Sequence, residues 1–151
     1  MDVKAVLAAK VDTINAVRPE AALSEAVSLL NEKNVGAILV LEESGKVAGI
    51  LSERDVIRYL SQADNLGLDA KAADLMTKDV IACTPDTSLD SAISAMTKRM
   101  IRHLPVMEGD RPLGLLSIKD ALTYRLLLLE QGEEPRFKRW FEQGRVYSLR
   151  E

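Results

Sequence analysis

Residues 49–55 read GILSERD and residues 114–120 read GLLSIKD: glycine, two aliphatics, serine, one variable residue, a basic residue and aspartate, in that order and twice. Worked outward, the likeness runs from residues 17 to 61 in one copy and from 83 to 125 in the other. Identities fall at Pro19/Pro85, Leu23/Leu89, Ala26/Ala92, Ser28/Ser94, Val40/Val106, Gly49/Gly114, Leu51/Leu116, Ser52/Ser117, Asp55/Asp120 and Tyr59/Tyr124. The offset is constant through Val40/Val106 and one residue shorter from Gly49/Gly114 onward, so the difference is confined to a turn. Repetition at a fixed spacing is first a statement about architecture. Two copies are too few for a solenoid and predict one pseudo-symmetric unit.

Each copy opens on a short apolar run, residues 14–17 and 80–83, closed by Pro19 or Pro85, which reads as a strand leading into a turn. A helix follows, with Leu23, Ala26, Val27 and Leu30 in one copy and Leu89, Ala92, Ile93 and Met96 in the other spaced to line one face. Ser24 and Asp90 lie near the two helix starts, and the capping residue of each is left open. Two strands come next, residues 37–41 and 46–51, then 103–107 and 112–116, with ESG and EGD as turn signals. The almost wholly apolar AILVL of residues 37–41 predicts a strand covered on both faces. A last helix begins after Ser52 and after Ser117, turning Val56, Ile57 and Leu60, and Ala121, Leu122 and Leu126, inward. The fold class is therefore α/β (α+β), two β-α-β-β-α repeats. Repeat one spans residues 3–61, a polar linker 62–71, repeat two 72–129, opening on a short helix over 72–76, and a tail 130–151.

A chain of 151 residues, 47% hydrophobic and 28% charged, is large enough for a real core and ordinary for a water-exposed globule. Charged residues interrupt every apolar stretch of MDVKAVLAAKVD, so the N-terminus predicts neither a signal peptide nor a membrane span, and the cytoplasm is the expected compartment. The single Cys83 excludes an internal disulfide and is expected to pack in a strand. Residues 1–134 carry 15 Lys/Arg against 21 Asp/Glu, whereas residues 135–151 carry 5 against 2. The acidic body should repel nucleic acid; the basic tail need not.

The repeated Ser-x-x-Asp is first a helix cap: a serine at the N-cap and an acid three residues on satisfy orphan backbone N–H groups and suit the helix dipole. Capping does not call for the cation at the second helical position, yet Arg54 and Lys119 both stand there. A helix N-terminus with a hydroxyl, open N–H groups and a cation suits a phosphate, and a carboxylate one turn in can accept hydrogen bonds from a sugar diol. Both uses fit the same turn.

The order of elements, GAILV and RHLPV on the middle strands, and GILSERD and GLLSIKD at the last helices resemble a tandem pair of CBS domains, the Bateman module, over residues 3 to about 129. The resemblance implies a pseudo-twofold α/β module, often paired into a flat homodimer, with two clefts that in relatives bind AMP, ADP, ATP, S-adenosylmethionine or, less often, a dinucleotide such as NAD(H). It assigns the riboses to Asp55 and Asp120 and the phosphates to Ser52 and Ser117. Adenine contacts would lie near Ile14 and Ala37 for one site and near Val80 and Leu104 for the other. It also brings in Arg102 and His103 as phosphate contacts, although Gly36 and Ala37 stand at the equivalent positions of the first copy, which predicts one cleft poorer in cations. His103, the single histidine, also reads as a partly exposed strand-edge residue.

The tail falls outside the resemblance. Phe137, Trp140 and Phe141 would share one face of a helix, with Arg136, Lys138 and Arg139 largely elsewhere, and each aromatic has about 150–250 Å² to bury. Docking on this module or its dimer mate is one expectation, and a strap across a cleft mouth another. RNA or membrane contact through so short a segment beside an acidic body is the weakest. Lacking a metal-ligand cluster, a glycine-rich phosphate loop or a nucleophile–base pairing, the sequence points away from an enzyme. The expected function is a non-catalytic regulatory module that binds an adenine nucleotide, requires no cofactor or metal, and signals to a separate protein effector. The alternative is a structural dimerisation module without useful ligand affinity.

Overall fold

The structure, a computed structural model, describes residues 2–10, 14–62 and 70–130. The expectations for the tail lie outside these residues. In chain order the elements are α1 (Val3–Ala8), β1 (Ala16–Val17), α2 (Leu23–Lys33), β2 (Ala37–Leu41), β3 (Val47–Ser52), α3 (Glu53–Gln62), α4 (Ala72–Leu75), α5 (Leu89–Lys98), β4 (His103–Glu108), β5 (Arg111–Ser117) and α6 (Ile118–Glu130). β1 runs parallel to β2, and β2 antiparallel to β3; β4 and β5 repeat the antiparallel pair. The register slips at the same place in both hairpins, between Val40 and Leu41 and between Val106 and Met107. Gly45 and Gly109 turn the hairpins with positive φ, which a side chain would strain.

The expected strand over residues 80–83 contracts to one parallel bridge, Cys83 to Val106. It is held by the Cys83 N–H donating to the Pro105 carbonyl at 2.9 Å and the Met107 N–H donating to the Cys83 carbonyl at 2.8 Å. In the first copy Ile14 and Asn15 likewise precede the two-residue β1. Parallel pairing begins late because Pro19 and Pro85 follow at once and turn the chain. Cys83 is buried as expected, and burial pushes its thiol up to about 11.

α2 and α5 end alike. Val35 N–H reaches back to the Leu30 carbonyl at 3.1 Å and Ile101 N–H to the Met96 carbonyl at 3.0 Å, around a left-handed residue that is Asn34 in one copy and Met100 in the other. At the N-terminal ends the copies part: Ala22 caps α2 without a side-chain bond, whereas Ser88 Oγ accepts the Ser91 N–H at 3.1 Å. Periodicity overstates burial at three positions. Val27 lies at the edge of its stripe, and Ile57 (68% exposed) and Leu122 (45%), equivalent residues of α3 and α6, face outward instead of into the core.

The core forms two clusters. One gathers Val17, Ala26, Leu30, Ile38, Val40 and Leu51, the other Leu89, Ala92, Met96, Leu104, Val106 and Leu116. Each takes its remaining piece from the segment that precedes the other repeat. Val3 and Val6 of α1 sink into the second cluster, and Ala72 of α4 into the first. The backbone repeats the exchange: Val3 and Lys4 N–H donate to the Thr87 and Pro85 carbonyls, Ala72 and Ala73 N–H to those of Ala21 and Pro19. The glycine of the repeated motif receives the crossing segment. A Cβ at Gly49 would lie 2.7 Å from Met76 Sδ and from the Thr77 carbonyl oxygen, and one at Gly114 would lie 3.1 Å from a Leu7 methyl.

Candidate functional site

Crossing the segments opens two clefts between the halves, of about 420 and 340 Å³. Both are assembled crosswise. The larger joins Ser117, Lys119 and Asp120, at the start of α6, to Ile14 and Ala37 of the first repeat. The smaller joins Ser52, Arg54 and Asp55, at the start of α3, to Val80, His103 and Pro105 of the second. Arg102 and His103 line both and form the wall between them. Leu104 lines neither: it is 1% exposed in the core, because successive strand residues point to opposite faces and its neighbours 103 and 105 take the cleft side.

The serine and aspartate of each turn cap their helix. Asp55 Oδ2 accepts the Ser52 backbone N–H and hydroxyl, both at 2.8 Å, and Asp55 N–H returns to Ser52 Oγ at 3.3 Å. The Asp55 residue is 8% exposed, with Arg58 Nη1 3.5 Å from Oδ1. In the second copy Ser117 Oγ donates to Asp120 Oδ2 at 2.6 Å and accepts the Asp120 N–H at 3.1 Å. The same Oδ2 receives the Lys10 ammonium at 2.6 Å, and Lys10 also donates to the Leu115 carbonyl at 3.4 Å. Burial alone would push the Asp120 carboxyl up, but the Lys10 ammonium and Ser117 hydroxyl together hold it below the usual carboxylate range. Burial and the Arg102 guanidinium keep His103 below its ordinary value, against the pull of Glu53 and Asp120, so its ring favours the neutral form. That ring lies over Gly36, where a Cβ would come within 3.2 Å of Cε1. Glycine stands at position 36 because the histidine of the other repeat fills the space a side chain would need.

The expected poverty of one cleft in cations does not hold. Lys10, Lys33, Arg102 and Lys119 line the larger and Arg54, Arg58, Arg99 and Arg102 the smaller, each with two carboxylates, Glu53 and Asp120 or Asp55 and Asp79. What the first copy lacks at Gly36 and Ala37 is supplied by Lys33 nearby and by Lys10, Arg102 and Lys119 far away in sequence. Arg58 was within reach of sequence reasoning, one turn after Asp55 on the same helix; Lys10 was not, because only the crossing of α1 brings it to Asp120. Arg54, from the helix-opening turn, spans the halves by donating to the Met100 carbonyl at 3.3 Å.

Among the described residues, no three or more His, Cys, Asp or Glu side chains gather as a metal site, and no helix is long and apolar enough to cross a membrane. The CBS domain pattern matches residues 10–62 and again residues 72–127. The chain belongs to the CBS-domain family. A CBS-domain protein of Agrobacterium tumefaciens superposes with a TM-score of 0.79 at 31% identity, over 83% of this chain and 99% of that one. An uncharacterised 33.4 kDa protein of Thermofilum pendens is 37% identical over 102 residues, 68% of this chain and 33% of its own length. The chain thus spans a third of that relative, and 62% and 54% of two others, from Acidianus ambivalens and Arabidopsis thaliana. More distant CBS proteins share the fold. The Pyrobaculum aerophilum protein solved with AMP does so at 23% identity and a TM-score of 0.75. A CBS pair solved with 5'-methylthioadenosine and S-adenosyl-L-methionine does so at 24% and 0.73.

Proposed function

We propose that this CBS pair is a non-catalytic, cytoplasmic regulatory module that binds adenosyl ligands, AMP, ADP or ATP ahead of NAD(H) or S-adenosylmethionine, in its two clefts. The observation that carries the reading is the crosswise cleft itself: a carboxylate and hydroxyl at one helix start, apolar strand residues from the other repeat, and clustered cations between. The complexes of related pairs with AMP and with 5'-methylthioadenosine and S-adenosyl-L-methionine support it.

In this reading Asp55 and Asp120 accept hydrogen bonds from the ribose hydroxyls, and Ser52 and Ser117 face the phosphate end. Arg54, Lys119 and the shared Arg102 offset its charge, and the neutral ring of His103 offers it an N–H hydrogen bond. Adenine lies against Ile14 and Ala37 in the larger cleft and against Val80 and His103 in the smaller. A ligand bound there touches both halves at once, so it favours whichever spacing of the halves fits it best, and shifts that equilibrium only by its difference in affinity for the two arrangements. A homodimer is the natural reader of the shift. Ile57 and Leu122 present matching apolar side chains on α3 and α6, the helices that begin at the two clefts.

The second reading, a dimerisation module with idle clefts, draws on the capping bonds, which account for both Ser-x-x-Asp motifs without a ligand. Thermal unfolding with AMP, ADP, ATP, NAD, NADH and S-adenosylmethionine separates the two. A nucleotide at 100 times its dissociation constant adds about 2.7 kcal/mol, a rise of roughly 5 to 10 °C. The binding reading expects such a rise for one ligand and its reduction in Asp55→Asn or Asp120→Asn. A flat panel supports the idle-cleft reading.

A further inference from the structure

The two clefts share a wall. Arg102 and His103 line both, whereas every other cation belongs to one cleft: Lys10, Lys33 and Lys119 to the larger, Arg54, Arg58 and Arg99 to the smaller. The Arg102 backbone is fixed, its carbonyl accepting the Ile118 N–H at 2.8 Å where α6 begins. Its side chain is exposed and makes no hydrogen bond or ion pair with the described residues, so either cleft can draw it. His103 is held in place, its ring packed over Gly36 with Nε2 3.4 Å from where a Cβ there would stand. The ring favours the neutral form, and a neutral imidazole has one N–H to donate. The wall therefore holds one movable charge and one ring donor for two sites.

We propose that Arg102 couples the two clefts, so that a phosphate-bearing adenosyl ligand in one weakens the binding of a second in the other; the proposal rests on the adenosyl-binding reading above. A guanidinium meets a phosphate through a planar fork of N–H donors, which points one way at a time. Turned to one phosphate it is lost to the other, and set between them it divides one positive charge over two anions. The first ligand to bind takes the cation at full strength, and the second gains less from it. The cations that belong to each cleft alone keep the second site usable, so the penalty is partial. By linkage it is also reciprocal: whichever cleft fills first, the other loses the same factor. Nucleotide then loads the pair in two steps, spread over a wider range of concentration than two independent clefts would show.

Calorimetric titration of AMP into the full chain tests this, with Asp55→Asn and Asp120→Asn supplying the larger and the smaller cleft alone. The second phase of the unsubstituted protein should be about threefold to tenfold weaker than the same cleft measured alone. Arg102→Gln, placed in all three proteins, should weaken AMP at each cleft and make the two-cleft isotherm the sum of the single-cleft ones. Arg102→Lys, which keeps the charge, should retain most of the coupling. An isotherm of the unsubstituted protein that already equals the sum of the two single-cleft isotherms overturns the proposal. So does coupling that persists or grows in Arg102→Gln, which would assign it to direct repulsion between the phosphates or to the spacing of the halves. Both results leave the adenosyl-binding reading standing, whereas failure of the unsubstituted protein to bind AMP overturns that reading and the proposal together.

Discussion

In the first half, the segment that crosses from the linker lies flat on its sheet: Thr77 and Ile50 exchange backbone hydrogen bonds of 2.9 and 3.1 Å, and Met76 covers Gly49. In the second half, α1 crosses in the same sense but contacts β5 through side chains, Leu7 over Gly114 and Lys10 onto the Leu115 carbonyl and Asp120. One backbone plan thus carries two kinds of joint. The joint made of backbone leaves the Asp55 cleft to its capping bonds and arginines, while the joint made of side chains puts a lysine into the other. Duplicated halves of a pseudo-symmetric fold need not give duplicate sites, because the elements that cross between them are free to differ.

Substitution at the two motif glycines probes this difference with the largest expected effect. In Gly49→Ala the new methyl meets a carbonyl oxygen of a hydrogen-bonded backbone at 2.7 Å, and about 2–3 kcal/mol of stability should be lost in urea unfolding. Gly114→Ala meets a leucine methyl at 3.1 Å that can turn aside, and about 1 kcal/mol or less is expected. Equal losses would mean that the joints are alike. Next in size is ligand affinity. Asp55→Asn should weaken AMP at the smaller cleft by about tenfold, seen as loss of one of the two phases of a calorimetric titration.

A smaller effect follows from pH. The Asp120 carboxyl is held below its unfolded value, so its ion pair contributes stability above about pH 4, and that contribution is lost as pH falls through the folded value. Lys10→Met should therefore cost about 1 kcal/mol or less at pH 7, and the two unfolding curves should converge in acid. His103 works over a different window. Its lowered value means that stability falls as pH drops below about 6.5, and His103→Gln should flatten that part of the profile. The smallest contrast is at the left-handed helix ends. Met100 is 78% exposed at φ 53, so Met100→Gly should raise stability by about 0.5–1 kcal/mol, while Asn34→Gly, at φ 51, should change little.

The repeat, the hairpins and the last helices were legible because apolar periodicity and turn residues act locally: β2 begins and ends where AILVL does, and α3 and α6 start right after Ser52 and Ser117. The crossing was not legible. Val3, Val6 and Leu7 correspond to Ala72, Leu75 and Met76 in space, yet the stretch from there to the first strand is longer in one copy than in the other, which hides the match. Lys10 was invisible for the same reason. Ile57 and Leu122 show a further limit, since helical spacing marks a residue as apolar-faced without saying whether the face meets the core or solvent. At the site, Asp55, Ser52, Asp120 and Ser117 were found from the motif, but their pairing with the strands of the opposite repeat needed the assembled fold.

The central claim is that the crosswise clefts bind adenosyl ligands and do so unequally. Calorimetric titration of AMP into the unsubstituted protein, Asp55→Asn and Asp120→Asn tests it most directly. The account predicts two phases in the unsubstituted protein, one lost in Asp55→Asn and the other lost in Asp120→Asn. Identical isotherms in all three proteins, or no heat of binding in any, would contradict it.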